Sequence, residues 1–246
     1  MKRVKFRWWY TLILIPLLII FGFLVWASTP LGPMPEAIAA LESSVDVDVS
    51  QERWITFTPM GNAPEVGIII YPGGRVDPRS YAPTAHAIAR QGHLVVIVPM
   101  PLNLAVFGVN KAEDVITSFP NIQNWVVGGH SLGGSMAANY TNNNFESIDG
   151  LYLWASYPAD SDDLSDKFIP VISISASRDG LITQQDVEDS RKLLPESTTW
   201  AVIQGGNHAQ FGWYGEQRGD NPAMISREEQ QAEVVERMLQ FIEGLW

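Results

Sequence analysis

Between residues 53 and 246 the chain alternates short, unbroken apolar runs with helix-like stretches, and no other feature constrains its fold as tightly. The runs fall at 54–58, 66–71, 94–98, 125–127, 150–154, 171–175 and 200–203, several of them nearly continuous Val and Ile. A strand that shows one face to water alternates apolar with polar residues. A continuous run requires cover on both faces, which crossover helices supply in a parallel sheet. Helices are expected at 81–90, 111–118, 132–140, 183–194 and 226–243. The last has the clearest start: Ser226 precedes Arg227-Glu228-Glu229, so a hydroxyl and a Glu three positions on offer a capping box. Val234, Val235, Met238, Leu239 and Ile242 then form one apolar stripe. The pattern predicts an α/β domain over 53–246, a mostly parallel, doubly wound sheet of about seven or eight strands flanked by helices.

Ahead of this domain, residues 10–27 read YTLILIPLLIIFGFLVWA without a charge. At about 1.5 Å per residue such a helix just covers a bilayer core. Lys2, Arg3, Lys5 and Arg7 precede it, and Trp8, Trp9, Tyr10 and Trp26 stand near its ends. Basic residues stay on the cytoplasmic side and aromatic rings sit at the interface, so the expectation is a single-pass signal anchor with an extracytoplasmic domain. A cleaved signal peptide, cut after Val25-Trp26-Ala27, is the competing reading and would make the protein secreted. The apolar stretch exceeds the about 7 to 15 residues usual for such peptides. The expected plan is a basic tail at 1–9, a transmembrane helix at 10–27, a linker and domain entry at 28–52, and the catalytic domain at 53–246.

Beyond the basic tail, 12 basic residues face 27 acidic ones. Such a surface repels phosphate backbones, and nucleic acid is not an expected partner. The chain has no cysteine, so disulfides, thiolate metal sites and a cysteine nucleophile are excluded. Its four histidines lack HExxH-like spacing, and no metal or other cofactor is expected. Nothing in the sequence specifies an oligomeric state.

The chemistry centres on Trp125-Val126-Val127-Gly128-Gly129-His130-Ser131-Leu132-Gly133-Gly134, a strand entering G-x-S-x-G and then a helix-like stretch. A serine on a sharp strand-to-helix turn needs small neighbours two positions away on either side; Gly129 and Gly133 meet that need. The Leu132 N–H, at the start of the helix, has no intrahelical acceptor and is available to an oxyanion.

This stretch resembles the nucleophile elbow of the α/β-hydrolase superfamily, and the resemblance extends over nearly all of 53–246. It implies the chain order serine, acid, histidine. Asp179 follows the run at 171–175, where the superfamily places its acid, although Asp179-Gly180 also reads as an ordinary turn. His208, in Gly205-Gly206-Asn207-His208, lies between the last strand and the last helix and is the only histidine after the elbow. A hydroxyl is a poor nucleophile at neutral pH, and an imidazole oriented by a carboxylate remedies that. His86, His93 and His130 are read as structural, with His130 also a possible contributor to the pocket. The Tyr71-Pro72-Gly73-Gly74-Arg75 loop resembles the His-Gly loop of the superfamily, with Tyr-Pro in place of the histidine. It implies a second oxyanion donor at the Gly74 N–H, with that of Arg75 as the alternative.

Residues 99–109 and 211–214 are expected either to line the pocket, through Leu102, Phe107, Phe211 and Trp213, or to pack as core, and Arg75 and His130 are further candidates for its lining. Some fifteen residues separate the runs at 150 and 171, too few for a helical lid, so an open site is expected. The short, lidless core resembles the dienelactone-hydrolase-like group, which commonly has cysteine where this chain has Ser131. The expected activity is cleavage of a carboxylic ester, thioester or lactone, on a small-molecule or lipid-like substrate. Acyl transfer by the same residues and a non-catalytic binding module on the same fold remain open.

Overall fold

The computed structural model describes residues 9–245. In chain order its elements are α1 (Trp9–Ala27), α2 (Pro35–Ala39), β1 (Val47–Ser50), β2 (Ile55–Pro59), β3 (Val66–Tyr71), α3 (Ala82–Ala89), β4 (Leu94–Ile97), α4 (Lys111–Ser118), β5 (Asn124–His130), α5 (Leu132–Asn144), β6 (Gly150–Trp154), β7 (Val171–Ala176), α6 (Gln184–Ser190), β8 (Thr199–Ile203) and α7 (Arg227–Glu243). One eight-stranded sheet runs in the order β1-β2-β4-β3-β5-β6-β7-β8. β2 is antiparallel to both β1 and β4, and every other pairing is parallel.

The continuous apolar runs become the strands that are covered on both faces. All six residues of β3 are buried. Ile68 and Ile70 point into the core under α3 and α7 with Val126, Ile172 and Ile174, while Ile69 and Tyr71 point into the core under α4 and α5 with Val127, Leu151 and Leu153. Each fully buried aliphatic side chain contributes about 1.5–3 kcal/mol of transfer free energy, so the central strands hold both layers. Ser226 caps α7 as the sequence implies: its hydroxyl accepts from Glu229 N, and Glu229 Oε2 accepts from Ser226 N at 2.7 Å.

Two stretches differ from expectation. Within the expected linker at 28–52, α2 and β1 pack onto the domain, with Ala37 and Val47 fully buried. β1 is four residues long and pairs in register with β2, Val47 opposite Pro59, so its existence depends on a partner strand and not on its own pattern. The N-terminal apolar stretch is helical, and its side chains from Leu12 to Trp26 are exposed. Among the described residues no helix is long and apolar enough to cross a membrane. Residues 11–27, the part of α1 whose side chains are described, rise about 25 Å, where a bilayer core is about 30 Å thick. The basic cluster and Trp8 lie outside the described residues, as do the side chains of Trp9 and Tyr10.

Candidate active site

Because β3 and β5 to β8 are mutually parallel, the segments that leave β3, β5, β7 and β8 emerge at one edge of the sheet. Those segments carry Gly74, Ser131, Asp179 and His208 respectively. Topology alone thus gathers residues more than a hundred positions apart.

Ser131 occupies the turn between β5 and α5 at φ 51°, ψ −124°. Few side-chain-bearing residues adopt this conformation, which costs on the order of 1–3 kcal/mol and survives only where the surroundings impose it. Here they do. The Ser131 N–H donates to Trp154 O at 2.9 Å, and its carbonyl accepts from Ser156 Oγ at 2.7 Å. The turn is tight enough to press on the end of β3: a Cβ on Gly129 would lie 2.2 Å from Tyr71 O, and one on Gly133 2.1 Å from the same atom.

Asp179 and His208 form a buried pair. Asp179 Oδ2 accepts from His208 Nδ1 at 2.8 Å. Its Oδ1 accepts from the N–H groups of Leu181 at 2.8 Å and Ile182 at 2.7 Å, which fixes the carboxylate plane. Since an ionised carboxylate can only accept, Nδ1 carries the ring proton and Nε2 presents its lone pair. That Nε2 is buried and has no hydrogen-bond partner. The bond from Ser131 Oγ to Nε2 is not made here, as is common before a substrate tightens such a site.

Asp220, which sequence reasoning missed, joins the two loops. Its Oδ1 accepts from Gly180 N at 3.0 Å and its Oδ2 from Ala209 N at 2.8 Å, so one carboxylate binds the residue after Asp179 and the residue after His208.

The Leu132 N–H opens α5 and the Gly74 N–H lies in the loop after β3; neither has a hydrogen-bond partner among the described residues. The two loops touch, since a Cβ on Gly74 would come within 3.1 Å of Leu132 Cδ2. Arg75, the alternative donor, is not free: its N–H donates to Asn103 O at 2.7 Å.

His130 lies behind the loop of Gly73. Tyr81 Oη accepts from Gly73 N at 2.9 Å and shares a hydrogen bond with His130 Nδ1 at 2.8 Å. Burial, and then the neighbouring His208 ring 4.5 Å away, hold His130 well below the usual imidazole range, so it is neutral. Phe211 stacks on His130 at 5.7 Å and 20°, and both are fully buried. Trp213 is also buried, so these two aromatics act as core under the site and not as its mouth. Phe107 is 52% exposed on the loop at 99–109, and Leu102 is half-buried there. The Arg75 side chain turns away from the site toward α1. His86 sits edge-on to Phe57 at 6.0 Å and His93 precedes β4, both remote from Ser131 in the fold. Residues 155–170 carry no helix.

Among the described residues no three His, Asp or Glu side chains converge where a metal ion could be held. A cavity of about 720 Å³ lies at the opposite, amino end of β7 and β8, between Lys167, Trp200 and Phe241, and contains none of the residues above.

The fold has counterparts among solved structures. Est1E from Butyrivibrio proteoclasticus with bound ferulic acid superposes with a TM-score of 0.59 at 12% identity, over 80% of this chain and 99% of that one. The thermophilic esterase Est2 from Thermogutta terrifontis gives 0.57 at 13% identity, over 81% and 92%. A predicted CIB-like hydrolase from Thermoplasma acidophilum gives 0.59 at 13% identity, over 78% and 95%. No curated protein matches the sequence. The family model described as "Alpha/beta hydrolase family" matches residues 67–232, from β3 into α7 and across every loop described above. With that match spanning most of its length, the chain belongs to the alpha/beta hydrolase family.

Proposed function

We propose that this chain is a membrane-anchored serine hydrolase that cleaves a carboxylic ester through an acyl-enzyme. The buried Asp179–His208 pair, with an unpartnered Nε2, carries the reading. An imidazole removed from water and oriented by a carboxylate has one use for that lone pair, which is to accept a proton. As Ser131 Oγ bonds to the substrate carbonyl carbon, its proton passes to His208 Nε2. The carbonyl electrons move onto oxygen, and the Gly74 and Leu132 N–H groups hold the resulting charge. When the tetrahedral intermediate collapses, the alkoxide leaves with the proton from Nε2. Water, deprotonated by the same nitrogen, then releases the acid. One such N–H donor is typically worth roughly 10²–10³ in rate. The likeness to an esterase from Thermogutta terrifontis and to Est1E with bound ferulic acid supports an ester over other acyl compounds.

The membrane assignment rests on α1. Its apolar side chains from Leu12 to Trp26 are exposed, a surface that water disfavours and a bilayer accepts. The basic residues before it favour a cytoplasmic N-terminus and a domain outside the cytoplasm. Ala27, the last residue of the candidate cleavage site, is fully buried against the domain, which speaks for retention. A small or lipid-like ester at the membrane surface fits this arrangement.

The test uses a fluorophosphonate probe and a series of p-nitrophenyl esters on the full-length chain. Labelling confined to Ser131, and loss of both labelling and turnover in Ser131→Ala, is expected. A labelled site elsewhere, or full turnover by Ser131→Ala, overturns the assignment. For the anchor, carbonate at high pH should leave the chain in the membrane pellet; release to the supernatant refutes it.

A further inference from the structure

A helix end leaves its last carbonyls without intrahelical donors, and its dipole places partial negative charge there. α1 has no basic residue in its last turn to answer that charge. The domain supplies it. Arg75 Nε donates to Trp26 O at 2.7 Å and Arg75 Nη2 to Thr29 O at 2.6 Å, while its guanidinium lies 4.4 Å from the centre of the Trp26 ring. Asn103 Nδ2 donates to Ala27 O at 2.9 Å.

The backbone at these same two residues is tied into the site. Arg75 directly follows Gly74 and holds φ 56°, and Asn103 holds φ 54°. Left-handed conformations at residues other than glycine are strained, and they persist where contacts over-determine them. The Arg75 N–H donates to Asn103 O at 2.7 Å, and Arg75 O accepts from Leu31 N at 2.7 Å. Leu31 also bridges in parallel to Val76. A mere tether would leave the domain through a segment with few contacts. This one is bonded to the loop of Gly74 on both of its flanks.

We propose that Arg75 is a positioning residue for hydrolysis: by clamping the loop of Gly74 to the end of α1 it holds the Gly74 N–H where the oxyanion forms, so the anchor helix is a structural part of the active site. This rests on the reading of Gly74 as an oxyanion donor. Arg75 touches no substrate in this arrangement, so its loss falls on turnover and not on substrate binding. A displacement of about 1 Å in a catalytic group costs on the order of 10²-fold, and loss of a donor roughly 10²–10³.

The experiment is steady-state hydrolysis of a short, water-soluble p-nitrophenyl ester by the full-length chain in detergent micelles, with the rate of fluorophosphonate labelling measured alongside. For Arg75→Ala, kcat is expected to fall roughly 10- to 100-fold with KM within about threefold, and labelling to slow by a similar factor, because both reactions draw on the same N–H donors. Arg75→Lys, which keeps a cation at the helix end, should recover part of kcat. A folded Arg75→Ala variant with unchanged kcat, or one altered only in KM, overturns the proposal. If Arg75→Ala does not fold, Arg75→Lys and Arg75→Gln decide: two variants with undiminished kcat refute it. The outcomes separate from those of the parent reading. An active Ser131→Ala defeats the hydrolase assignment itself, whereas an inactive Ser131→Ala beside a fully active Arg75→Ala defeats only the clamp.

Discussion

Nδ1 of His208 and Oδ2 of Asp179 stand 2.8 Å apart with both side chains only 1% exposed to solvent. Water cannot substitute for either partner in so dry a setting, so the tautomer of the ring depends on this one acceptor. Asp179→Asn should lower kcat by roughly 10³- to 10⁴-fold while leaving KM within a few-fold, because the amide favours the wrong tautomer without vacating the space. Stopped-flow acylation with a p-nitrophenyl ester measures it; a loss below tenfold would mean that the carboxylate does not orient the base.

Asp220 tests whether the two loops need their shared carboxylate. In Asp220→Ala the N–H groups of Gly180 and Ala209 lose their acceptor, and the loops of Asp179 and His208 are no longer joined through it. An unsatisfied buried N–H costs about 1–3 kcal/mol, so urea denaturation should show a loss of that order. Turnover should fall roughly tenfold or more from displacement of the base. Equal activity at reduced stability would limit Asp220 to a structural part.

The elbow glycines should tolerate nothing larger. A Cβ at Gly133 would meet Tyr71 O at 2.1 Å and Pro72 O at 2.4 Å, both backbone atoms that cannot swing aside. Gly133→Ala is expected to lose about 3 kcal/mol or more, beyond the usual range for overpacking by one methyl, or to fail to accumulate as folded protein. Near-native melting of this variant would show that Tyr71 and Pro72 can draw back from the turn.

Acid should weaken the fold through His130. Burial and the adjacent His208 depress its affinity for protons, so between about pH 6.5 and its own lower value the unfolded chain binds a proton that the native state refuses. Stability then rises with pH across that window and is lost as pH falls through it. The urea midpoint should drop below about pH 6.5, and His130→Gln should flatten that drop without abolishing it, since His86 and His93 are depressed by burial in the same direction. An unchanged pH slope in His130→Gln would assign the effect elsewhere.

Much of this architecture is readable in the chain because the relevant signals are local. The Ile and Val runs of β3 and β4 require two covered faces, and Ser226 with Glu229 announces the start of α7 within four residues. The elbow is legible for the same reason, with its glycines two positions from Ser131. What escapes local reading depends on partners distant in sequence. β1 is recognisable only once β2 lies beside it. Tyr81 reaches His130 across 49 positions and Arg75 reaches Trp26 across 49, so neither role leaves a trace in its own neighbourhood. Phe211 and Trp213 follow His208 and by sequence fit either pocket lining or core; the fold decides for the core, where both are buried.

The backbone angles at Ser131 imply that this protein is held slightly uncomfortable by its own nucleophile. Glycine adopts φ 51°, ψ −124° without the penalty that serine bears. Ser131→Gly should therefore yield a chain that melts higher than the parent, by about 1 kcal/mol of added stability, and catalyses nothing.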